Sequence, residues 1–177
     1  MLPTFHFTRF DMLERAIEFA TQAHSGQYRK YTGEPYINHP LAVREIVRGV
    51  PGHTEEMLVA AVLHDVVEDT DVSLMEIQEE FGNVVSDLVL HLTDISKPED
   101  GNRLKRKRKD AEWYAQGSAE AQTIKVADFI DNTKDIAQND PRFWEVYKME
   151  KLYALDLLQE ADVDLWHQAH IIIKENW

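Results

Sequence analysis

Residues 60–70 read Ala-Ala-Val-Leu-His-Asp-Val-Val-Glu-Asp-Thr, and this stretch decides how the rest of the chain is interpreted. In an α-helix, which turns by about 100° per residue, four ionisable side chains share one side, because positions i, i+3 and i+4 stack. They are His64, Asp65, Glu68 and Asp69. Valine and leucine cover the opposite side, so the polar side also lies near the interior. Unpaired carboxylates are costly to bury, so this cluster predicts a compensating cation.

The adjacent His64 and Asp65 can offer an imidazole nitrogen and a carboxylate oxygen to one metal ion. Glu68 and Asp69, one turn further on, are then placed to handle a water molecule. A second interpretation is a local hydrogen-bonded His-Asp pair followed by a solvated helix end. For a lone dipeptide this second interpretation is favoured, because motifs this short are common by chance. The choice therefore depends on the rest of the chain.

The composition is that of an ordinary globular protein, with 177 residues, 44% of them hydrophobic and 29% charged. This length suits one domain over residues 1–177. Cysteine is absent, so any metal ligand must be a nitrogen or oxygen atom. Residues 1–9 lack a leader pattern and no apolar run is long enough for a bilayer, so a cytoplasmic protein without membrane contact is expected. The formal net charge of −13 argues against nucleic-acid binding and makes any basic cluster informative.

Apolar residues at helical spacing, separated by glycine and proline, predict an all-α protein with roughly eight to ten helices. Thr8 and Asp11 suggest a cap for a first helix that ends near His24. Residues 25–39 mix cations, aromatic residues and turn formers, a mixture typical of ligand-binding loops. Further helices are predicted to start at Pro40, Thr54, Ser73, Asn83, Arg103, Ser118, Arg142 and about Asp164. The sequence leaves the oligomeric state open.

Two other segments offer ligands of the same type. His39 precedes Pro40 at a helix start, and Asp128 lies in the helical stretch Ile-Lys-Val-Ala-Asp-Phe-Ile-Asp-Asn. Because apolar residues flank Asp128 at most helical positions, its carboxylate should point inward or into a cleft. Together with His64 and Asp65 these residues form a plausible set of two imidazoles and two carboxylates. Such a set leaves coordination positions for water, as a catalytic metal site requires.

A series of longer motifs surrounds these residues. In order they read Ala-His-Ser-Gly-Gln-Tyr-Arg-Lys, Gly-Glu-Pro-Tyr-Ile-Asn-His-Pro, Leu-His-Asp-Val-Val-Glu-Asp-Thr, Phe-Gly-Asn-Val-Val and Val-Ala-Asp-Phe-Ile-Asp-Asn. The series strongly resembles the hydrolase domain of the RelA/SpoT family, part of the HD phosphohydrolase superfamily. The resemblance is dense from Ala23 to about Lys134 and weaker elsewhere. It implies a single HD-domain helical bundle, similar to the small alarmone hydrolases of this family that lack a synthetase domain.

The resemblance also implies roles for individual residues. Four of them would hold one Mn²⁺ ion: His39, His64, Asp65 and Asp128. Glu68 and Asp69 would activate or orient the attacking water, and their two roles stay open. Arg29 would stack on guanine with help from Lys30, and Asn132 would contact the ribose or its phosphate. The family often has Ser-Gly directly after Arg-Lys, whereas this loop is one residue longer.

Residues 103–109, Arg-Leu-Lys-Arg-Lys-Arg-Lys, form the most basic segment. They could be a solvated helix face or, less well in so acidic a chain, a nucleic-acid contact. A hydrolase would use one or two of them to bind phosphate, and i+4 spacing puts Arg103 and Lys107 on one face. Lys148 is a further phosphate-binding candidate by loose similarity to metazoan members of the family.

The expected activity is hydrolysis of the 3′-diphosphate of guanosine tetra- or pentaphosphate to GDP or GTP and pyrophosphate. Such a reaction needs a water made nucleophilic near neutral pH and a cation facing the phosphate oxygens. One alternative is a hydrolase of the same fold that acts on another phosphorylated nucleotide, such as NADPH. Another is a domain that binds a nucleotide without hydrolysing it. His24 follows the family's Ala-His pattern and is expected to brace the loop rather than bind metal.

Overall fold

The computed structural model describes residues 9–175, with side chains from Met12 onward. This range forms α-helices and one short 3₁₀ helix without a strand, so the predicted all-α class is confirmed. The helices are α1 (Arg9–Ala23), α2 (Asn38–Arg48), α3 (Glu55–Leu63), α4 (Val66–Asp69), α5 (Leu74–Leu92), the 3₁₀ helix (Pro98–Asp100), α6 (Arg103–Tyr114), α7 (Ala119–Asn139), α8 (Pro141–Leu157) and α9 (Val163–Glu175). The cap suggested by Thr8 and Asp11 lies outside the described side chains.

The central helix predicted from Thr54 is divided into α3 and α4 at His64 and Asp65. Its start is confirmed, since the Thr54 hydroxyl accepts a hydrogen bond from the Met57 N–H. Asp65 adopts φ −99° and ψ −5°, in the sparsely populated bridge region where many active-site residues lie. The chain keeps its right-handed turn, because the Asp69 N–H donates to the Asp65 carbonyl at 2.9 Å. The prediction of one unbroken helix is therefore wrong.

Helix α5 is kinked at Gly82, which adopts φ 86° and ψ 173°. The kink separates the two helices that the sequence predicts there. The predicted capping box of Ser73 and Glu76 is present at the start of α5. A Cβ atom at Gly82 would meet no atom within 4 Å, so backbone strain, not crowding, limits substitution at this position.

Gly82→Ala is expected to lower the free energy of unfolding by about 1–3 kcal/mol, the usual cost of a strained backbone conformation. Urea denaturation followed by circular dichroism measures this change. Val84→Ala, two positions further along at an exposed site, is the matched control and should change stability by less than about 0.5 kcal/mol. Equal stability of Gly82→Ala and the wild-type protein would contradict the kink.

Helix α7 forms the centre of the molecule, and every residue from Ala121 to Ile130 is buried. It packs against α2, α3, α5, α8 and α9. Helix α2 also packs against α3, so α2, α3 and α7 meet one another. This arrangement brings His39, His64 and Asp128 from three distant segments to one place. No helix in residues 9–175 is both long and apolar enough to cross a membrane.

Candidate active site

Two histidines and two aspartates meet where α2, the α3–α4 junction and α7 come together. His39 Nε2 lies 3.2 Å from Asp128 Oδ1 and 3.5 Å from Asp65 Oδ2. His64 Nε2 lies 3.0 Å from Asp65 Oδ2 and 3.7 Å from Asp128 Oδ1. One ligand atom from each of His39, His64 and Asp65 lies within 4.8 Å of the others. The structure thus brings together the four residues predicted as metal ligands.

The hydrogen-bond partner of Nδ1 defines the tautomer of each histidine. His39 Nδ1 lies 2.8 Å from Asp131 Oδ2, and His64 Nδ1 lies 2.8 Å from the Ala61 carbonyl oxygen. A carboxylate and a carbonyl only accept hydrogen bonds, so each Nδ1 donates and each neutral ring keeps a lone pair on Nε2. Both Nε2 atoms are buried without a hydrogen-bond partner among the described residues. A positive charge, either a proton or a metal cation, stabilises an Nε2 atom beside a carboxylate. Two imidazoles and two carboxylates are a donor set that fits a divalent metal ion.

The electrostatics of this cluster favour positive charge. Burial lowers the pKa of His64, but Asp65 and Asp128 outweigh burial and raise that pKa to about 10. Burial also acts to raise the pKa of Asp128, yet Lys125 and the two histidines hold it well below its ordinary value. An environment that stabilises a protonated imidazole also attracts a metal cation.

Lys125 is buried beside Asp128 and is a site residue that the sequence did not reveal. Its ammonium lies 3.2 Å from Asp128 Oδ2 and donates to the Leu92 carbonyl at 3.0 Å. On the other carboxylate oxygen, the Asn132 amide donates to Asp128 Oδ1 at 2.6 Å. Lys125 and Asn132 therefore fix the orientation of Asp128. The only sequence feature that could have indicated a buried Lys125 is its place in a largely apolar helical stretch. A lysine on the solvent-facing side of a helix gives the same pattern.

Tyr36 connects a predicted metal ligand to a predicted water-handling acid. Its hydroxyl oxygen lies 2.6 Å from Asp65 Oδ2 and 3.1 Å from Asp69 Oδ2. Burial and the neighbouring carboxylates raise the pKa of Tyr36 well above its ordinary value, so the hydroxyl remains a donor. His24 packs its ring against Tyr36 at 4.7 Å between centroids, and its Nδ1 lies 2.8 Å from Gln27 Oε1. These contacts agree with a bracing role for His24.

Glu68 and Asp69 lie at the exposed rim of the cluster. Glu68 Oε2 accepts a hydrogen bond from the Asp94 N–H at 3.0 Å. Surrounding protein atoms desolvate the Glu68 carboxyl group, and Asp94 and Asp65 add to this effect against Lys125, so the pKa of Glu68 rises to about 7. Desolvation likewise raises the pKa of Asp69. A carboxyl group with a pKa near neutrality is well suited to proton transfer.

The two predicted nucleotide contacts, Arg29 and Asn132, lie side by side. The Arg29 guanidinium donates to Asn132 Oδ1 at 3.0 Å and to Asp135 Oδ2 at 2.8 Å. Its side chain is only 12% exposed, so this loop residue is held firmly against α7. Lys30 differs, because its side chain is 75% exposed and its ammonium lies 3.8 Å from Asp140.

Helix α6 carries the basic segment and packs against α8. Arg103 forms two hydrogen bonds with the Glu150 carboxylate, at 2.7 and 2.8 Å. Lys107 pairs with Asp94, the residue whose backbone N–H binds Glu68. Arg103 and Lys107 line one groove of about 480 Å³ between α6 and α8. The predicted common face of these two cations is therefore present, and Asp94 connects the groove to the rim of the cluster.

Lys148 contacts helix α9 rather than an element that carries another predicted site residue. Its ammonium donates to the Lys174 carbonyl near the end of α9, at 2.9 Å. The amine therefore faces α9 rather than the four-ligand cluster, and the structure does not support the predicted phosphate contact. Lys151, three positions later in α8, lies on the inner side instead, with its ammonium 4.3 Å from the Phe129 ring centroid. Sequence similarity in this part of the chain is too loose to define which side of α8 faces the site.

Comparisons with known proteins agree with this geometry. Residues 16–162 match the family described as HD domain. The chain is 37% identical over 143 residues to the guanosine-3′,5′-bis(diphosphate) 3′-pyrophosphohydrolase MESH1 of Mus musculus and of Homo sapiens, covering 80% of this chain and 78% of each relative. A solved structure of a metazoan ortholog of SpoT that hydrolyses ppGpp superposes with a TM-score of 0.80 at 30% identity, covering 99% of this chain and 97% of that chain. The chain therefore belongs to the HD-domain family, in the branch that contains MESH1 and SpoT.

Proposed function

We propose that this chain is a Mn²⁺-dependent hydrolase that removes the 3′-diphosphate of guanosine tetra- or pentaphosphate, giving GDP or GTP and pyrophosphate. One observation carries the proposal: the buried Nε2 atoms of His39 and His64 lack a hydrogen-bond partner among the described residues and face Asp65 and Asp128. Similarity to MESH1 and to the SpoT ortholog supports the substrate. We also propose that it acts in the cytoplasm.

The proposed metal site consists of His39, His64, Asp65 and Asp128. Imidazole and carboxylate ligands without a thiolate suit Mn²⁺, although other divalent ions accept the same donors. When bound, the ion would polarise a phosphate oxygen and make a coordinated water more acidic. Lys125 keeps Asp128 ionised and oriented, because its ammonium lies 3.2 Å from the carboxylate.

Glu68 is the proposed general base, and Asp69 is the carboxylate proposed to orient the attacking water. Glu68 lies at the rim, where desolvation raises its pKa to about 7. A nearby cation would lower this value and favour the deprotonated form, which can accept a proton from water. Asp69 is held through the Tyr36 hydroxyl, which also contacts Asp65. That link keeps the Asp69 carboxylate at a constant position relative to the metal ligands.

We propose that Arg29 stacks on the guanine, with Lys30 nearby, and that Asn132 contacts the ribose or its phosphate. The ion pair with Asp135 fixes the guanidinium plane of Arg29, and a fixed plane is suited to stacking on a ring. Asn132 already contacts both Arg29 and Asp128, so its amide lies between the proposed base contact and the metal site.

Arg103 and Lys107 are proposed to bind the outer phosphates from the groove between α6 and α8. Both cations are paired with carboxylates, Arg103 with Glu150 and Lys107 with Asp94. A phosphate that enters the groove would share these cations through charge-assisted hydrogen bonds, which are about twice as strong as neutral ones. Their side chains are 45% and 28% exposed, so a ligand can reach them.

A nucleotide panel tests the proposed substrate. Purified protein with Mn²⁺ is incubated with ppGpp, pppGpp or NADPH, and products are separated by ion-exchange chromatography. We expect GDP and pyrophosphate from ppGpp, loss of turnover with EDTA, and recovery on adding Mn²⁺. Phosphate release from NADPH without ppGpp hydrolysis would show that the enzyme acts on another phosphorylated nucleotide. Tight ppGpp binding without products would identify a non-catalytic domain.

A further inference from the structure

Asp131 is a partly buried carboxylate that the proposed mechanism does not use. It lies on α7 one turn after Asp128, and its Oδ2 lies 2.8 Å from His39 Nδ1. Its side chain is 14% exposed. The other ion pair of Asp131 is to Lys134, at 3.8 Å, and the Lys134 side chain is 60% exposed. Exposed pairs of this kind are weak, so His39 is the main partner of the Asp131 carboxylate.

The two histidines of the cluster are supported differently. His64 Nδ1 donates to a neutral group, the Ala61 carbonyl, within its own helical segment. His39 Nδ1 donates across the α2–α7 contact to the charged group of Asp131. An ionised carboxylate holds the Nδ1 proton more strongly than a carbonyl does, fixes the ring orientation and raises the donor strength of the opposite nitrogen.

We propose that Asp131 is a positioning residue that sets the affinity of the site for its metal ion through His39. This inference rests on the proposed metal centre. It adds to the four proposed ligands one residue that supports a ligand without contacting the ion. Asp131 acts by keeping the proton on Nδ1 and the lone pair on Nε2, where the other three ligands converge. Loss of such a supporting hydrogen bond commonly weakens metal binding by about 10- to 100-fold.

Mn²⁺ titrations test this role without any assay of turnover. The electron paramagnetic resonance signal of free Mn²⁺ gives the dissociation constant directly. Asp131→Asn should weaken binding by about 10- to 100-fold, because a neutral amide is a poorer acceptor and, turned over, offers an N–H that favours the wrong tautomer. Glu145→Gln removes the same charge from an exposed position on α8 and should stay within about twofold of the wild-type protein.

A second measurement on the wild-type protein remains informative even if Asp131→Asn folds poorly. With diamagnetic Zn²⁺ bound, long-range ¹H–¹⁵N spectra should show a slowly exchanging Nδ1–H proton on both His39 and His64. In Asp131→Asn only the His39 signal should be lost, whereas a general loss of structure would remove the His64 signal as well. Absence of the His39 Nδ1–H signal in the wild-type protein, with that of His64 present, would overturn the inference.

The titrations also separate the two proposals. If the wild-type protein binds no Mn²⁺, the proposed function fails and the role of Asp131 fails with it. If the wild-type protein binds Mn²⁺ and Asp131→Asn binds it equally well, the metal centre stands and only the role of Asp131 is overturned.

Discussion

His64→Ala is expected to remove the bound metal and the hydrolytic activity together. The His64 ring supplies one of the two buried Nε2 atoms, and the remaining ligands would face one another with a donor missing. A metal ion at a phosphate provides several kcal/mol of transition-state stabilisation, and each 1.36 kcal/mol is tenfold in rate, so turnover should fall by about 10³-fold or more. Elemental analysis after dialysis measures the metal, and pyrophosphate release measures turnover.

Asp65→Asn provides a gentler version of the same test, because it keeps the size of the side chain and removes only its charge. It should also lose metal and activity, with little change in the circular dichroism spectrum. His167→Ala, at an exposed position of α9, is the matched histidine control and should retain both. Full activity of His64→Ala after treatment with a chelator would show that the proposed mechanism is wrong.

Glu68→Gln is expected to slow the chemical step by about 10²- to 10⁴-fold, the usual contribution of a general base, while metal content and substrate binding stay close to wild type. The amide preserves the shape of the side chain and its acceptor for the Asp94 N–H, but it cannot take a proton from water. Single-turnover measurements give the rate of the chemical step, and a binding titration gives the affinity. Glu79→Gln, exposed on α5, is the control.

The pH dependence gives Glu68 a second signature. Desolvation raises its pKa to about 7, and a bound cation would lower that value, so the base form predominates at neutral and higher pH. The wild-type rate should therefore fall as the pH is lowered through this pKa, and Glu68→Gln should lose that dependence. Asp69→Asn should slow the reaction less than Glu68→Gln does, because Asp69 is proposed to orient water. Its rate should still fall as the pH is lowered. The reverse ranking would exchange the two roles.

Helices and caps were predictable from sequence because they depend on neighbours a few residues apart. The capping box at Ser73 and Glu76, the cap at Thr54 and the interruption at Gly82 all match such local patterns. The break at His64 and Asp65 was not predictable in this way. Both residues keep right-handed backbone angles, and their sequence spacing is the same as that of a continuous helix.

Sequence by itself determined the all-α class, which follows from periodicity, and it predicted His39, His64, Asp65 and Asp128 as candidate metal ligands from long motifs in a fixed order. Only the tertiary structure decided which groups support them. Tyr36 joining Asp65 to Asp69, Lys125 beside Asp128 and Asp131 behind His39 depend on packing between α2, α3 and α7. The side of α8 that carries Lys148 was decided in the same way. Periodicity describes one helix at a time, whereas a hydrogen bond between helices depends on their relative rotation and register.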